Sequence, residues 1–337
     1  MRRFFILGLL LLFLSACAAP EPGFSFAPAE EDRLVIYTSH REAVYEPIIK
    51  EFEERTGVWV QVETGGSGDL LARVEAEAEA PVCDLFFGGG VDSLQSRAAL
   101  FEPYVSPLQN QLQPAFRCDS GTWTAFSSLP VVLIYNPVLI RANPPDSWQS
   151  LLDPAWRGKI AFASPTVSGS SYTTLASLLQ VLPEDDQALL KAFVENLDGR
   201  ILDSSTQVAD AVAGGSCYIG AIPEDIALQA IANGRDVALL GPKEGTCTLP
   251  DGMAVVTGCP HGDNARRFID FALSEDVQRY LMDHCSRRSV RADLRQEEEG
   301  RFLAFDSFDY DAVWAGEQRE TLLAQWRALC GEEGGGI

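Results

Sequence analysis

Three short stretches near the start of the chain decide its fold: residues 34–40 read LVIYTSH, residues 58–68 read VWVQVETGGSG and residues 84–90 read DLFFGGG. Each opens as a β-branched or aromatic run typical of a buried strand and ends in small or hydroxyl-bearing residues. Between them, residues 44–52 place apolar side chains at helical spacing, and residues 69–80 predict a second helix. This β-α-β-α-β order predicts a parallel sheet covered by helices on both faces.

A second sheet is predicted further along the chain. Residues 123–135 form a strand-like run interrupted at Pro130, and because proline is disfavoured in a central strand, we expect the chain to bend there and leave the first sheet. Further strands are predicted at 159–162, 217–222 and 237–240, with helices at 171–182, 186–197 and 206–213. Helical patterns at 264–273 and 275–283 are expected to return to the first lobe, so the chain would cross twice between lobes and form a hinge.

Length and composition agree with two lobes. The chain has 337 residues, of which 46% are hydrophobic and 22% charged, and single cores stop growing at about 250–300 residues. We therefore predict an α/β protein with a sheet flanked by helices in each lobe. The expected limits are 33–127 with 253–285 for the first lobe, 128–252 with 286–330 for the second, and a tail at 331–337.

The N-terminus predicts export. Residues 1–3 are a charged segment, residues 4–14 an apolar one too short to span a bilayer, and residues 14–17 (LSAC) resemble a bacterial lipobox. This predicts a signal peptide at 1–16, a lipid on Cys17 that anchors the protein to a membrane, and a proline-punctuated tether at 17–32. Ordinary secretion without lipid is the alternative.

Charge limits the partners. The chain carries 26 Lys and Arg against 48 Asp and Glu, a net charge of −22, so nucleic acid is not expected as a partner. Solubility of an exported protein is the simpler explanation of this acidity.

Seven cysteines follow Cys17, and export permits disulfides among them. Without a Cys-x-x-Cys pair, neither zinc nor a thioredoxin-type site is indicated. Cys247 and Cys259 bracket a predicted turn and strand, and they are the first candidates for a bridge.

Small and hydroxyl residues follow four predicted strands in both lobes. Ser39 follows the first, Gly66 and Ser67 the second, residues 88–90 the third, and residues 164–172 (SPTVSGSSY) a strand of the second lobe. Helix starts expose unpaired N–H groups with about half a positive charge, and glycine lets a ligand approach the backbone. Each serine alone is explained as a helix cap. Their joint placement instead predicts an anion-binding cleft at the carboxyl ends of the strands.

Catalytic patterns are weak. The chain has three histidines, of which only His40 follows a strand end, and it lacks Gly-x-Ser-x-Gly, His-Glu-x-x-His and nucleotide-binding motifs. No cofactor and no resident metal are predicted.

Several co-linear segments resemble the periplasmic solute-binding proteins of ATP-binding-cassette importers, in the cluster that binds ferric iron, hexose phosphates or aminoethylphosphonate. These segments are residues 36–40 (IYTSH), 52–57 (FEERTG), 66–77 (GSGDLLARVEAE), 84–90 (DLFFGGG), 133–136 (LIYN), 154–160 (PAWRGKI), 242–246 (PKEGT) and 287–291 (RRSVR). The resemblance implies the type II two-lobed binding-protein fold, a cleft for the ligand and the importer's permease subunits as partners.

Within that cluster, the resemblance implies that iron binders use a histidine after the first strand, a glutamate after the third and a tyrosine pair in the second lobe. His40 matches the first position, but residues 88–90 are glycines, and only Tyr218 lies near the expected tyrosines. A ferric ion needs several anionic oxygen ligands, which glycine does not supply. The departure favours the organophosphate and phosphonate branch, in which carboxylates would bind the non-anionic end of the ligand.

We therefore predict a non-enzymatic, lipid-anchored periplasmic or cell-surface protein that binds a small anionic solute carrying phosphate or phosphonate. The predicted ligand-binding residues are Ser39, His40, Gly66, Ser67, Gly88, Gly89, Ser128, Ser168, Gly169, Ser170, Ser171, Tyr172, Ser205, Glu224, Asp225, Glu244 and Arg288. Three alternatives stay open: a ferric-iron or other metal binder using His40 and Tyr218, an exported phosphate-ester enzyme using His40, and a purely structural lipoprotein.

Overall fold

The computed structural model describes residues 28–298 and 300–331. The predicted leader, Cys17 and most of the predicted tether fall outside these residues, as does the tail from 332 onward. Among the described helices, none is both long and apolar enough to cross a membrane.

The first lobe opens with the predicted β-α-β-α-β order. Its elements are β1 (Arg33–Thr38), α1 (Glu42–Thr56), β2 (Trp59–Thr64), α2 (Ser67–Ala76), β3 (Leu85–Gly90), α3 (Val91–Gln95), β4 (Phe101–Glu102) and β5 (Thr124–Ser128). Strands β1, β2 and β3 are parallel, with Ile36 opposite both Val62 and Leu85. Their carboxyl ends therefore share one edge of the sheet, and the loops at this edge lead into α1, α2 and α3.

The chain crosses to the second lobe at the predicted bend around Pro130. The elements there are β6 (Val131–Tyr135), β7 (Ile160–Ala163), α4 (Gly169–Val181), α5 (Asp186–Leu197), β8 (Ile201–Leu202), α6 (Ser205–Ala213), β9 (Ile219–Pro223), α7 (Glu224–Ala232) and β10 (Ala238–Leu240). The sheet has the order β10-β6-β9-β7-β8. Because β7, β8 and β9 run parallel, the loops that follow them place the starts of α4, α6 and α7 along one edge.

The chain then crosses back. The remaining elements are β11 (Pro250–Val256), α8 (Gly262–Ala272), α9 (Glu275–His284), β12 (Arg288–Ser289), α10 (Arg295–Glu298) and α11 (Ala312–Cys330). Strand β11 lies antiparallel between β3 and β5, and it completes a seven-stranded sheet of order β12-β5-β11-β3-β1-β2 with β4 beside β11. The predicted two-sheet α/β fold is thus confirmed.

Aromatic side chains fill the centres of the two lobes. In the first lobe, the Phe87 ring lies edge-on to that of Phe126, with 4.7 Å between centroids. In the second, the Phe162 ring lies 5.0 Å from that of Phe193 and 5.8 Å from that of Trp326. Since Trp326 belongs to α11, the last helix is part of the second lobe's core.

The structure corrects the predicted boundaries: Ser128 and residues 250–252 lie in the first sheet, and residues 286–290 also belong to the first lobe. Strand β12 pairs with β5, and Val290 is buried in the first core. A strand of two residues is too short for its periodicity to assign it to a sheet.

The structure also corrects the predicted disulfide, because Cys247 and Cys259 are both free thiols. The residues between them include the whole of β11, an extended strand about 20 Å long. The strand therefore separates the two sulfur atoms. Cys259 packs in the cluster that contains Cys83. Cys247 lies where the chain crosses between the lobes, and its sulfur accepts a hydrogen bond from Leu249 N at 3.3 Å. The sequence analysis predicts a turn at 250–252 before the strand, whereas these residues already belong to β11.

Candidate functional site

A cleft with a volume of about 360 Å³ lies between the lobes, at the edges where the parallel strands end. This volume is within the range of small-molecule sites. Its walls are formed by Ser39, His40, Arg41, Gly65, Gly66, Ser67, Gly89, Gly90, Leu129, Val131, Val167, Ser168, Gly169, Ser170, Thr173, Asp203, Ser204, Ser205, Thr206, Pro223, Asp225, Ile226, Leu249, Pro250, Asp251 and Arg287.

Several helices begin at the cleft wall, among them α2 of the first lobe and α4 and α6 of the second. Helix α2 starts at Ser67 with Gly66 in the N-cap position, and no side chain caps its first amides. The side-chain oxygens of Ser168 and Ser204 cap α4 and α6, each accepting one backbone N–H at 3.3 Å. Other first-turn N–H groups of all three helices have no partner within their helix, so they present partial positive charge from both lobes to the same cavity.

Four charged side chains form a cluster at one end of the cleft; Asp225, Asp251 and Arg287 are buried, and the fourth, Arg41, is partly exposed. Arg287 donates to Asp251 Oδ2 at 2.7 Å and to Asp225 Oδ2 at 3.2 Å, and Arg41 donates to Asp225 Oδ2 at 2.9 Å. The other oxygen of Asp251 accepts from Ser127 N and Oγ, both at 2.8 Å. Two arginines and two aspartates balance, so the cluster adds no net positive charge, and the helix starts are the main attraction for an anion.

Burial governs the protonation of this cluster. Burial raises the pKa of Asp251, although Arg287 and Ser127 oppose the rise. For Arg287, burial disfavours the charged form, but the attraction of Asp225 and Asp251 outweighs it, and the pKa of the guanidinium is raised. The arginine is therefore always charged.

His40 is a neutral, tightly packed side chain. Burial lowers its pKa well below the usual value, and the charges of Arg287 and Arg41 lower it further. Its ring lies edge-on to Phe87 at 4.5 Å, and its Nδ1 lies 3.4 Å from Arg287 Nη1. Because the guanidinium only donates, Nδ1 accepts, and the proton of the neutral ring is assigned to Nε2. That atom lies 3.4 Å from Asp251 Oδ2 without hydrogen-bond geometry.

Three polar atoms on the cleft wall are buried and have no hydrogen-bond partner among the described residues: Ser67 Oγ, Asp225 Oδ1 and His40 Nε2. Ser67 and Asp225 are each only 2% exposed. A buried polar group without a partner is costly, so such atoms on the wall of a cavity indicate groups that meet a ligand. Ser67 and His40 offer donors, and Asp225 offers an anionic acceptor.

The structure brings together ten of the predicted site residues. Those that line the cleft are Ser39, His40, Gly66, Ser67, Gly89, Ser168, Gly169, Ser170, Ser205 and Asp225. Gly88 lies directly behind them, because a Cβ there would be 2.5 Å from Ser39 Oγ. Its φ of 131° also favours glycine.

Two predicted carboxylates do not line the cleft. Glu224 is buried and accepts from Arg288 Nε at 2.7 Å and Nη2 at 2.9 Å, so both predicted residues are used in one ion pair. Glu244 accepts from the backbone N–H of Trp148 at 2.9 Å and of Gln149 at 3.2 Å. It therefore stabilises a turn outside the cleft.

Three further predicted residues hold the cleft wall from behind. Tyr172 is buried and donates to Ala315 O of α11. Ser171 donates to Ser168 Oγ at 3.0 Å, and Ser128 donates to Thr248 O at 3.1 Å. Contrary to the prediction, these three side chains do not line the cleft.

The predicted ligand-binding residues lack three charged residues of the cleft: Arg41, Asp251 and Arg287. Of these, Arg287 is predicted only as an alternative to Arg288 for positive charge at the hinge. Arg287 stands next to the predicted Arg288, and adjacent side chains at a strand point to opposite faces. The only available signal was therefore the arginine pair itself, which does not say which member faces the cleft. Asp251 was read as part of a turn.

The ligand set expected for iron is absent from the cleft. Among the residues of 28–298 and 300–331, no three His, Cys, Asp or Glu side chains come together to hold a metal ion. Tyr218 packs against the second core, with the Lys159 ammonium 5.8 Å from its ring, and it does not line the cleft.

Comparison with known proteins agrees with this architecture. A family model described as bacterial extracellular solute-binding protein matches residues 80–310. An Fe(3+)-binding periplasmic protein of Serratia marcescens is 27% identical over 267 residues, covering 76% of this chain and 78% of that protein. A putative 2-aminoethylphosphonate-binding periplasmic protein of Salmonella typhimurium is 20% identical over 263 residues, covering 76% of each.

A solved structure of the periplasmic binding protein AfuA from Actinobacillus pleuropneumoniae, with exogenous fructose-6-phosphate bound, matches with a TM-score of 0.81. It is 26% identical, and the match covers 89% of this chain and 99% of that chain. The predicted type II two-lobed fold is confirmed by this similarity. The chain therefore belongs to the bacterial extracellular solute-binding protein family, the periplasmic binding components of ABC importers.

Proposed function

We propose that this protein captures a small phosphorylated or phosphonate solute in the cleft and delivers it to the permease subunits of an ABC importer. One observation carries the proposal: the starts of α2, α4 and α6, from both lobes, meet at one cavity, and no side chain caps α2. Such helix starts bind phosphate groups. The AfuA structure with fructose-6-phosphate and the Salmonella relative named for 2-aminoethylphosphonate support the same chemistry.

The proposed ligand has two ends. Its anion meets the helix starts and Ser67 Oγ, and its other end meets Asp225 Oδ1, which would accept from an ammonium or a hydroxyl group. Of the three carboxylates predicted to bind the non-anionic end of the ligand, Asp225 lines the cleft, whereas Glu224 and Glu244 do not. A carboxylate at the anion end would repel the ligand, so this division follows from charge.

Ferric iron is the second candidate, because the Serratia relative is named for it. On this chain, however, His40 would be accompanied by glycines at 88–90 and by no cleft tyrosine. An exported enzyme is not favoured either, since a general base needs a pKa near the working pH and the pKa of His40 is well below it. A purely structural role would leave three buried polar atoms of the cleft unsatisfied.

Isothermal titration tests the choice. We expect fructose-6-phosphate or 2-aminoethylphosphonate to bind, and fructose and ferric citrate not to bind. Binding of ferric citrate alone would replace the proposal with iron, turnover of a phosphate ester would replace it with an enzyme, and no heat from any compound would favour the structural role. Each hydrogen bond to a charged group contributes about 1.5–3 kcal/mol, so Ser67→Ala should weaken every phosphorylated ligand by about tenfold or more. The exposed Ser216→Ala is the matched control.

Substitution of Asp225 by asparagine should instead change the ranking of the ligands, with the largest loss for those that carry an amine or several hydroxyls. Equal losses for all anions, inorganic phosphate included, would contradict the proposed division between the two ends.

We also propose that the protein is anchored by lipid on Cys17, as the lipobox-like LSAC indicates. A Cys17→Ser variant should move from the membrane fraction to the soluble fraction and keep its ligand affinity. Metabolic labelling with palmitate that persists in this variant would exclude Cys17 as the attachment site.

A further inference from the structure

On one side of the cleft, the two lobes approach each other closely at glycine residues. The first turn of α2 faces the loop at 164–168 that precedes α4. A Cβ atom at Gly66 would lie 2.6 Å from Val167 O, and one at Gly68 would lie 2.7 Å from Thr166 O. Real Cβ contacts essentially never fall below 3.0 Å, and both neighbours are backbone carbonyls that cannot rotate away. We call this contact the seam.

Backbone conformation does not explain these glycines. Gly66 has φ −64° and ψ 142°, which any residue adopts, and Gly68 lies inside α2. Glycine is the weakest helix former after proline, and alanine is the strongest, so local structure would favour alanine at position 68. The proximity of the other lobe is therefore the physical reason for glycine there.

Glycine of the second lobe completes the seam. A Cβ at Gly169 would lie 2.4 Å from Ser67 Oγ. Ser67 is 2% exposed, lines the cleft, and has no hydrogen-bond partner for its hydroxyl. The turn that forms the seam is thus also the turn that presents the uncapped amides of α2 to the cavity.

We propose that Gly68 is a positioning residue for ligand capture. Its missing side chain lets the start of α2 dock against the second lobe, and this brings Ser67 and the α2 amides to the same anion as the starts of α4 and α6. Gly68 does not line the cleft, so it acts through Ser67 and not by contact with the ligand. The inference rests on the proposed function for the nature of the ligand, but not for the seam itself.

The test compares Gly68→Ala with Gly316→Ala. Gly316 lies in α11, and its Cβ would find its nearest neighbour, Ser96 N, at 3.4 Å, an ordinary contact. Both changes improve helix propensity, so Gly316→Ala should melt at or above the temperature of the wild type without ligand, whereas in Gly68→Ala the close contact with Thr166 O offsets this gain. Only Gly68→Ala should weaken binding, by about ten- to hundredfold, equally for fructose-6-phosphate, 2-aminoethylphosphonate and inorganic phosphate wherever these bind the wild type.

Hydrogen exchange provides a readout that needs no ligand. Amides of residues 164–172 should exchange faster in Gly68→Ala than in the wild type, and at the wild-type rate in Gly316→Ala. Unchanged exchange in the seam together with unchanged affinity would overturn the proposal. If no compound binds the wild type, the proposed function fails, while the exchange comparison still decides the role of Gly68. Should Gly68→Ala not fold, Gly66→Ala, which meets a different carbonyl, serves as the second variant; because Gly66 lines the cleft, this variant is judged by hydrogen exchange of residues 164–172 and not by affinity.

Discussion

Replacing Arg287 by methionine tests the charge cluster of the cleft. Arg287 is 5% exposed, and its guanidinium neutralises Asp251, which is 2% exposed. Methionine fills a similar volume but donates no hydrogen bond. Asp225 would keep Arg41 at 2.9 Å, whereas Asp251 would keep the two bonds from Ser127 but lose its ion pair with Arg287.

The expected loss of folding stability follows from this difference between Asp225 and Asp251. Removing one partner of a buried ion pair leaves an uncompensated charge and costs about 3–5 kcal/mol. For a protein of this size, such a loss lowers the melting temperature by roughly 5–15 °C. Arg157→Met is the matched control, because Arg157 and its partner Asp198 are 60% and 56% exposed, and a surface pair is worth about 0–1 kcal/mol.

The cost should depend on pH. Burial already raises the pKa of Asp251, and loss of Arg287 removes an attraction that opposes this rise. A carboxyl with a pKa higher in the folded than in the unfolded chain contributes stability that is fully present below the unfolded value of about 3.9. That stability is lost as pH rises through the folded pKa. The deficit of Arg287→Met should therefore be smaller at pH 4.5 than at pH 8.

Differential scanning calorimetry of the wild type and both variants at the two pH values measures these effects. Adding Asp251→Asn to Arg287→Met should restore part of the lost stability, because the buried charge is then gone. The reasoning is refuted if Arg287→Met costs no more than Arg157→Met, or if the double variant is less stable than the single one at pH 8.

Three further predictions concern other groups. Glu244→Gln should cost about 1 kcal/mol, because it weakens two charge-assisted caps, and leave the ligand ranking of titrations unchanged; a changed ranking would return Glu244 to the cleft. The melting temperature should fall as pH drops below about 6.5, because the depressed pKa of His40 keeps the folded protein from binding a proton that the unfolded chain binds. His40→Gln should reduce this fall, and an equal fall in variant and wild type would contradict the argument. Peptide mapping without reductant should find no peptide that links Cys247 to Cys259, and such a peptide would contradict the separation imposed by β11.

Local sequence patterns were sufficient to predict the fold class. The runs at 34–37, 58–62 and 85–87 predicted β1, β2 and β3, and the helical spacing between them predicted α1 and α2. These elements depend on neighbouring residues, because apolar periodicity and cap residues act within a few positions of the chain. The serines at strand ends were found for the same reason, since parallel strands bring their carboxyl ends to one edge.

The later crossings of the chain between the two lobes were predicted less well. The α8 and α9 patterns correctly predicted the first return, and the limit of 286–330 correctly placed α11 in the second lobe, but the sequence did not show that β12 joins the first sheet. A two-residue strand carries no periodicity, and the place of α11 depends on Trp326 meeting Phe162, which is 164 residues earlier.

The sequence by itself determined that this is an α/β chain with helix starts and small residues at the ends of its strands, because these features arise from local steric and hydrogen-bonding preferences. Only the tertiary structure decided which charged residues serve the cleft. Arg287 faces it while Arg288 pairs with Glu224, and Asp225 keeps one free oxygen while Glu244 caps a distant turn. The state of a charge depends on the burial and partners that it meets in space, and those partners come from segments far apart in the chain.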